Sequence, residues 1–548
     1  MAEVQADLVI LADAMFSGAS PRERPVSGGL AVTGRRITAA GPKTEMEALI
    51  GPGTRVFSFG KDALLMPGFC DSHLHLSWTI TAESGPPLRQ VQSEDECVAI
   101  TKKWLEEHPD VSWVVGNGWH QSNWAVKEPP DKRKLSAAIP HVPVCLMDVD
   151  CHAVWLNQKA LDLAGITRDT PNAEGGVIYH DAAGEPTGYV EENPSMDIYI
   201  RGIEANALDP AARRLNLRDT CRTFNRRGIT SVMDALDTPA VWLDTIDELV
   251  KENRFSLRLN CTTFLNDTGA YMEHAQALLD RYGDREGPVV FWGFKALLDG
   301  VGGAHTAWMT GDYADAPGNR GYPLGNPELI MRRVLDVERQ GYGVHLHACG
   351  TRAVEFGLDM IEEARKNGFL SGQRNTITHC DTVNEKDFAR FGSLGVIASL
   401  QPDMLAPTHS WADNIYPRRF GEELMKNAWA NRRIFDSAPA VSLSSDSPVT
   451  IANPMFAVFR ATQRIHDDGN PPGGIHPEQK LTLGECLWAF TCGGAYQLGR
   501  ERALGTLEPG KLADIAVLNK NIFEAAPEEY LSIESRLTLL NGEIVYQA

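Results

Sequence analysis

Five places in this sequence set a metal-binding side chain at or near the end of a run of strand-forming residues. The first is Asp71-Ser72-His73-Leu74-His75. Alternate residues of a strand face the same side, so His73 and His75 can reach one ion together. Two such histidines can equally be polar residues of an exposed face, but the preceding Met66-Pro67-Gly68-Phe69 argues against exposure. His345-Leu346-His347 repeats the spacing, His379 closes Thr376-Ile377-Thr378, and Asp446 stands in Ser444-Ser445-Asp446-Ser447-Pro448. Lys295 follows Phe291-Trp292-Gly293-Phe294 and precedes Ala296-Leu297-Leu298. An ammonium in so apolar a stretch must be paired or lose its charge. Either an ion pair with nearby Asp299 or reaction with carbon dioxide, giving a carbamate that bridges two cations, would serve. From spacing alone the ion pair is the simpler reading. Nitrogen and carboxylate ligands without thiolate suit zinc, with iron, manganese, cobalt or nickel as alternatives.

The elements that must position these residues alternate in type. Strand-like runs at 63–69, 228–233, 289–294, 343–347, 375–379 and 440–445 are separated by helical stretches such as 328–340 and 351–367. This βα alternation predicts a parallel sheet, open or closed. Before it, short apolar runs around 7–12, 29–32 and 37–41, with a Thr33-Gly34-Arg35 turn, read as a β-meander. At the other end, 513–518 reads as a strand and 537–546 as a hairpin whose Asn541-Gly542 pair suits a type I′ turn. Neither end has strands enough for its own core, so both are expected to combine into one small β-domain, residues 1–65 with 505–548. Residues 113–192 break the rhythm and hold four of the twelve tryptophans: Trp113, Trp119, Trp124 and Trp155. Those indoles either contact a partly aromatic substrate or fill the insert's own core. Trp119, Trp124 and His152 are the candidate substrate-binding residues, and His152 reads equally well as a satisfied buried histidine.

With 52 basic and 72 acidic side chains the formal charge is −20, which disfavours nucleic acid and anionic membrane as partners. The ten cysteines are scattered without a two-residue pair, and the acidic N-terminus is followed by no long apolar run. A cytoplasmic chain is expected, free or as a homo-oligomer.

The chain resembles the amidohydrolase superfamily, and within it the amidohydrolase-3 group of YtcJ-like proteins and N-substituted formamide deformylases. The resemblance runs over nearly the whole length. Residues 66–75 match the first-strand motif. Asp150-Cys151-His152-Ala153-Val154-Trp155-Leu156-Asn157, Gly175-Gly176 and Gly184-Glu185-Pro186-Thr187-Gly188 resemble the group's insert; His347-Ala348 with Arg352-Ala353-Val354 resembles the fifth-strand motif; 444–449 resembles the eighth; and 507–514 is the return to the β-domain. The resemblance implies an α/β fold: a TIM-type (β/α)8 barrel over 66–504, carrying the 113–192 insert, plus a small β-sandwich from both termini. It further implies that His73 and His75 bind one divalent ion and His347 and His379 a second. A carboxylated Lys295 would bridge them, and Asp446 would touch both the first ion and the attacking water. On this basis His347 outranks His345. Where the group has Gly-Asp, this chain has Gly350-Thr351, one carboxylate fewer. The implied activity is hydrolysis of a non-peptide, amide-type C–N bond in a small molecule by water activated on one or two ions, zinc foremost. The alternatives are a deaminase with a single metal and a catalytically silent barrel that binds a small molecule.

Overall fold

The computed structural model describes residues 6–121, 124–149, 151–172, 176–205, 210–265, 269–369, 374–406 and 410–548. Asp150 and Gly175 of the insert motifs lie outside them. Among the described residues, eight strands form one all-parallel sheet in chain order: β1 (Phe69–Leu74), β2 (Ile229–Asp234), β3 (Arg258–Phe264), β4 (Val289–Leu297), β5 (Val344–Ala348), β6 (Thr376–His379), β7 (Ile397–Leu400) and β8 (Val441–Leu443). Most of their residues are buried on both faces, as a parallel sheet between its helices and its own interior requires. The sheet curls until its edges meet. There the Asp446 N–H donates to the His73 carbonyl (2.8 Å), and the His75 N–H donates to the Ser447 carbonyl (2.8 Å). The barrel is therefore closed just beyond the strand ends.

The covering helices follow their sequence signals. Asn326 caps Pro327–Arg339 by accepting from the Leu329 N–H (3.1 Å), with proline in the first turn. Ile330, Val334 and Val337 form its buried stripe. Thr351–Lys366 buries Val354, Leu358 and Ile361 in the same way.

The two chain ends share a second sheet. Its order is Glu543–Gln547, Ser535–Leu540, Ile515–Leu518, Leu64–Pro67, Leu8–Met15, Val26–Thr33 and Arg36–Gly41, with Arg55–Phe59 also paired to Leu8–Met15. The Asn541-Gly542 turn has φ of +54° and +80°, both positive as a type I′ turn demands. Gly68 passes the chain from this sheet to the barrel in one residue. Its N–H donates to the Asp514 carbonyl (2.9 Å), and a Cβ there would stand 2.4 Å from Thr230 Oγ1, so only glycine fits. Between β1 and β2 the chain builds a third sheet, ordered Gly176–His180, Pro186–Glu192, Ala153–Leu156, Val144–Asp148 and Val114–Trp119. No helix among the described residues is long and apolar enough to cross a membrane.

Candidate active site

At the C-terminal ends of the barrel strands, His73, His75, Lys295, His347, His379 and Asp446 line one cavity. Two of them leave their strands in the left-handed region, His379 with φ +74° and Asp446 with φ +57°. Such backbone costs of order 1–3 kcal/mol and persists where the surroundings dictate it. Both residues line the cavity wall, Asp446 from the seam and His379 from the end of β6.

His73 Nε2 and His75 Nε2 each stand 3.1 Å from Asp446 Oδ1. Neither contact is aligned as a hydrogen bond, and Asp446 Oδ1 is buried without a partner. Atoms that approach so closely without donating to one another share a target. Ligands bound at about 2.0–2.1 Å to one zinc ion stand roughly 3 Å apart, so the three fit a common cation. His379 Nδ1 lies 4.0 Å from Asp446 Oδ2, and His73, His379 and Asp446 place one ligand atom each within 4.8 Å of one another. The cavity has a volume of about 50 Å³, enough for an ion and a few waters.

The electrostatics agree with that fit. Burial, followed by the charges of neighbouring groups, holds His73, His345, His347 and His379 well below the ordinary imidazole range. They are neutral, the form that ligates metal. Burial also pulls Lys295 down to about 7, and its Nζ has no hydrogen-bond partner. Burial pushes Asp446 up, but neighbouring His75, His379 and Lys295 outweigh it and keep the carboxyl below its ordinary range.

Several partners were not foreseeable from local sequence. His345 is not on the cavity wall; its Nε2 lies 2.6 Å from His73 Nδ1, behind that ring. Asp299 does not pair with Lys295. Its oxygens accept from the backbone N–H groups of Trp308 (2.9 Å), Cys349 (3.0 Å) and Gly350 (2.7 Å), and Oδ1 lies 3.2 Å from His347 Nδ1. Asp299, His347 and Cys349 thus form a second buried group of ligand type, but the aspartate is already taken by the turn it organises. Thr351, in place of the expected aspartate, accepts from the Thr310 N–H (2.9 Å) and ties that loop to the fifth-strand turn.

Of the three substrate-binding candidates, only His152 reaches the cavity. Its Nδ1 lies 2.8 Å from Glu192 Oε2, and its ring centroid is 5.7 Å from that of His347. Trp119 and Trp124 pack 5.5 Å apart with Trp155 in the insert's own core, where apolar burial is completed without a ligand. Trp78, its ring 5.2 Å from His75, and Tyr416 supply aromatic wall instead. Neither carried a spacing or motif signal. Asp381, pushed up to about 7 by burial, also lines the cavity.

Residues 61–546 match the model of Amidohydro_3, the Amidohydrolase family. The chain is 26% identical to the putative amidohydrolase YtcJ of Bacillus subtilis, over 88% of this chain and 89% of that protein. It is 25% identical to the N-substituted formamide deformylase of Arthrobacter pascens, over 94% of each. A solved structure of an uncharacterized metal-dependent hydrolase from Pyrococcus horikoshii superposes with a TM-score of 0.75 at 23% identity, covering 95% of this chain and 99% of its own.

Proposed function

Because the chain belongs to the amidohydrolase family, we propose that it hydrolyses a non-peptide C–N bond of a small molecule at a divalent metal centre held by the barrel mouth. The observation that carries this reading is the convergence of His73, His75 and Asp446 at 3.1 Å without hydrogen bonding, in a buried cavity. In it His73, His75 and Asp446 would hold one ion. His347 and His379 would hold a second, and Lys295, if converted to a carbamate, would be a further ligand, for which its buried, unpartnered Nζ is the support. A divalent ion held there, zinc first among the options, would supply Lewis-acid polarisation of the scissile carbonyl and a water whose pKa falls from 15.7 to about 7.

The protein's own groups manage protons and orientation. Asp446 accepts the proton of the attacking water and delivers it to the departing nitrogen, so an acid and an amine leave. His345 fixes the ring of His73, and Asp299 that of His347, as second partners of metal-bound imidazoles do. His152, oriented by Glu192, faces the substrate across from His347. The formamide deformylase among the relatives supports an N-formyl or N-acyl amine as substrate, and Trp78 with Tyr416 supports a partly aromatic one. We further propose that residues 1–65 and 505–548 form one composite domain and 66–504 the catalytic one, supported by the separate sheets. Ten cysteines, none of them in a disulfide among the described residues, support a cytoplasmic setting.

A single-metal deaminase is the second reading, favoured by the inclusion of His379 with His73 and Asp446 in one ligand group. Elemental analysis of the purified protein, with a screen of N-formyl and N-acyl amines for released amine, tests both. Close to two ions and amine release that falls at least about 10²-fold in Asp446→Asn are expected. Near-normal turnover in that variant with metal bound would defeat the assignment. One ion and ammonia release from aminated rings would favour the deaminase.

A further inference from the structure

A second cavity of about 390 Å³ backs onto the loop that carries Asp446. The two cavities share that wall: Val449 faces the catalytic one, whereas Ser447, Pro448 and Thr450 face the other. Arg89 lines the second cavity. Its Nη1 donates to the Val449 carbonyl (3.2 Å), and among the described residues the remainder of the guanidinium has no hydrogen-bond partner. Asn117, 2% exposed, also lines it. The Asn117 side chain turns into the interior, its amide donating to the Asp148 carbonyl (2.8 Å) and to Cys151 Sγ (3.3 Å). Glu83, on the rim, is the only acidic residue lining the cavity among those described, and it already accepts from Thr220 Oγ1 (3.2 Å). Arg227 donates to the Ala452 carbonyl on the same wall (3.0 Å). In a chain of net charge −20, this is a locally positive recess.

A guanidinium with an open edge matches the two oxygens of a carboxylate. Glu83 at the rim disfavours a dianion. We propose that this cavity binds a small monocarboxylate, its carboxylate on the open edge of Arg89. This site is separate from the metal centre and does not depend on the proposed hydrolysis.

The test is calorimetric titration of the metal-loaded protein with small monocarboxylates, the standard protein amino acids and their N-acetyl derivatives among them, at millimolar concentration. Each is compared with its neutral carboxamide and with inorganic phosphate. At least one acid is expected to bind more than tenfold tighter than its carboxamide and than phosphate. Arg89→Lys should weaken that binding at least tenfold by removing the fork, and Arg89→Gln should abolish it. Ala82→Phe, which fills the recess while keeping every charge, should also abolish it and stands if the Arg89 variants fail to fold. The proposal is overturned if no acid binds, if the carboxamide or phosphate binds as well, or if binding survives Ala82→Phe or Arg89→Gln unchanged.

Discussion

Replacing Asp514 by alanine should cost about 3–5 kcal/mol of stability, the range for breaking one side of a buried ion pair. Arg258 is fully buried at the foot of β3, and Asp514 is 6% exposed just ahead of the strand Ile515–Leu518. Arg258 Nε donates to Asp514 Oδ2 (2.5 Å) and Nη2 to Oδ1 (3.0 Å), while Nη1 has no partner. Oδ1 also accepts the Asn541 N–H (2.9 Å), which anchors the last hairpin. Truncation therefore strands a guanidinium that retains only Asn541 Oδ1, and frees one half-buried backbone donor as well. Urea denaturation followed by tryptophan fluorescence reads the loss as a lower midpoint. Replacing both partners with apolar residues, Arg258→Met with Asp514→Leu, should recover much of it, because no charge is then left buried. Turnover per folded molecule should stay within about twofold at low urea, since the pair lies at the opposite end of the barrel from the cavity. A cost below about 1 kcal/mol for Asp514→Ala would refute the claim that this pair locks the terminal sheet to the barrel.

Other outcomes follow from the same geometry. Asp299→Ala should lower metal affinity roughly 10–100-fold by releasing His347 and the turn around it, read as metal retained after dialysis against a graded chelator; full retention would contradict it. Dialysis against a strong chelator should abolish amine release, and restored zinc should recover it. Glu338 is buried, which pushes its carboxyl up from 4.5 to about 7. The unfolded chain gives up that proton first, so the native state loses stability as pH rises from 4.5 to 7, by about 3 kcal/mol at most, and the loss is flat above. Glu338→Gln should therefore match the parent in thermal midpoint near pH 4.5 and exceed it at pH 8. A difference independent of pH would sink that account.

Local pattern made much of this molecule legible. Period-two spacing placed His73 and His75 on one face, the apolar runs marked the strands that deliver Lys295, His347 and His379, and Asn541-Gly542 announced its turn. What escaped was long-range. Nothing near Asp299 says that its carboxylate will cap a turn 50 residues on, and nothing near His152 points to Glu192, 40 residues away. Lys295 and Asp299 are close in sequence, yet β4 ends between them and their side chains serve different neighbours. Trp119 and Trp124 show the converse limit: composition reveals large aromatic surface, but whether it meets a ligand or its own kind is decided by the sheet beneath it.

The barrel seam carries one more implication. The carbonyl of His73 and the amide of Asp446 are the staples that join the first strand to the last. The residues that would grip an ion are thus also the clasp of the cylinder, and whatever pulls their side chains together tightens it. Stripping the centre of its cation should loosen the fold where it closes, so that hydrogen exchange at the Asp446 and His75 amides would rise before that of any strand distant from the join.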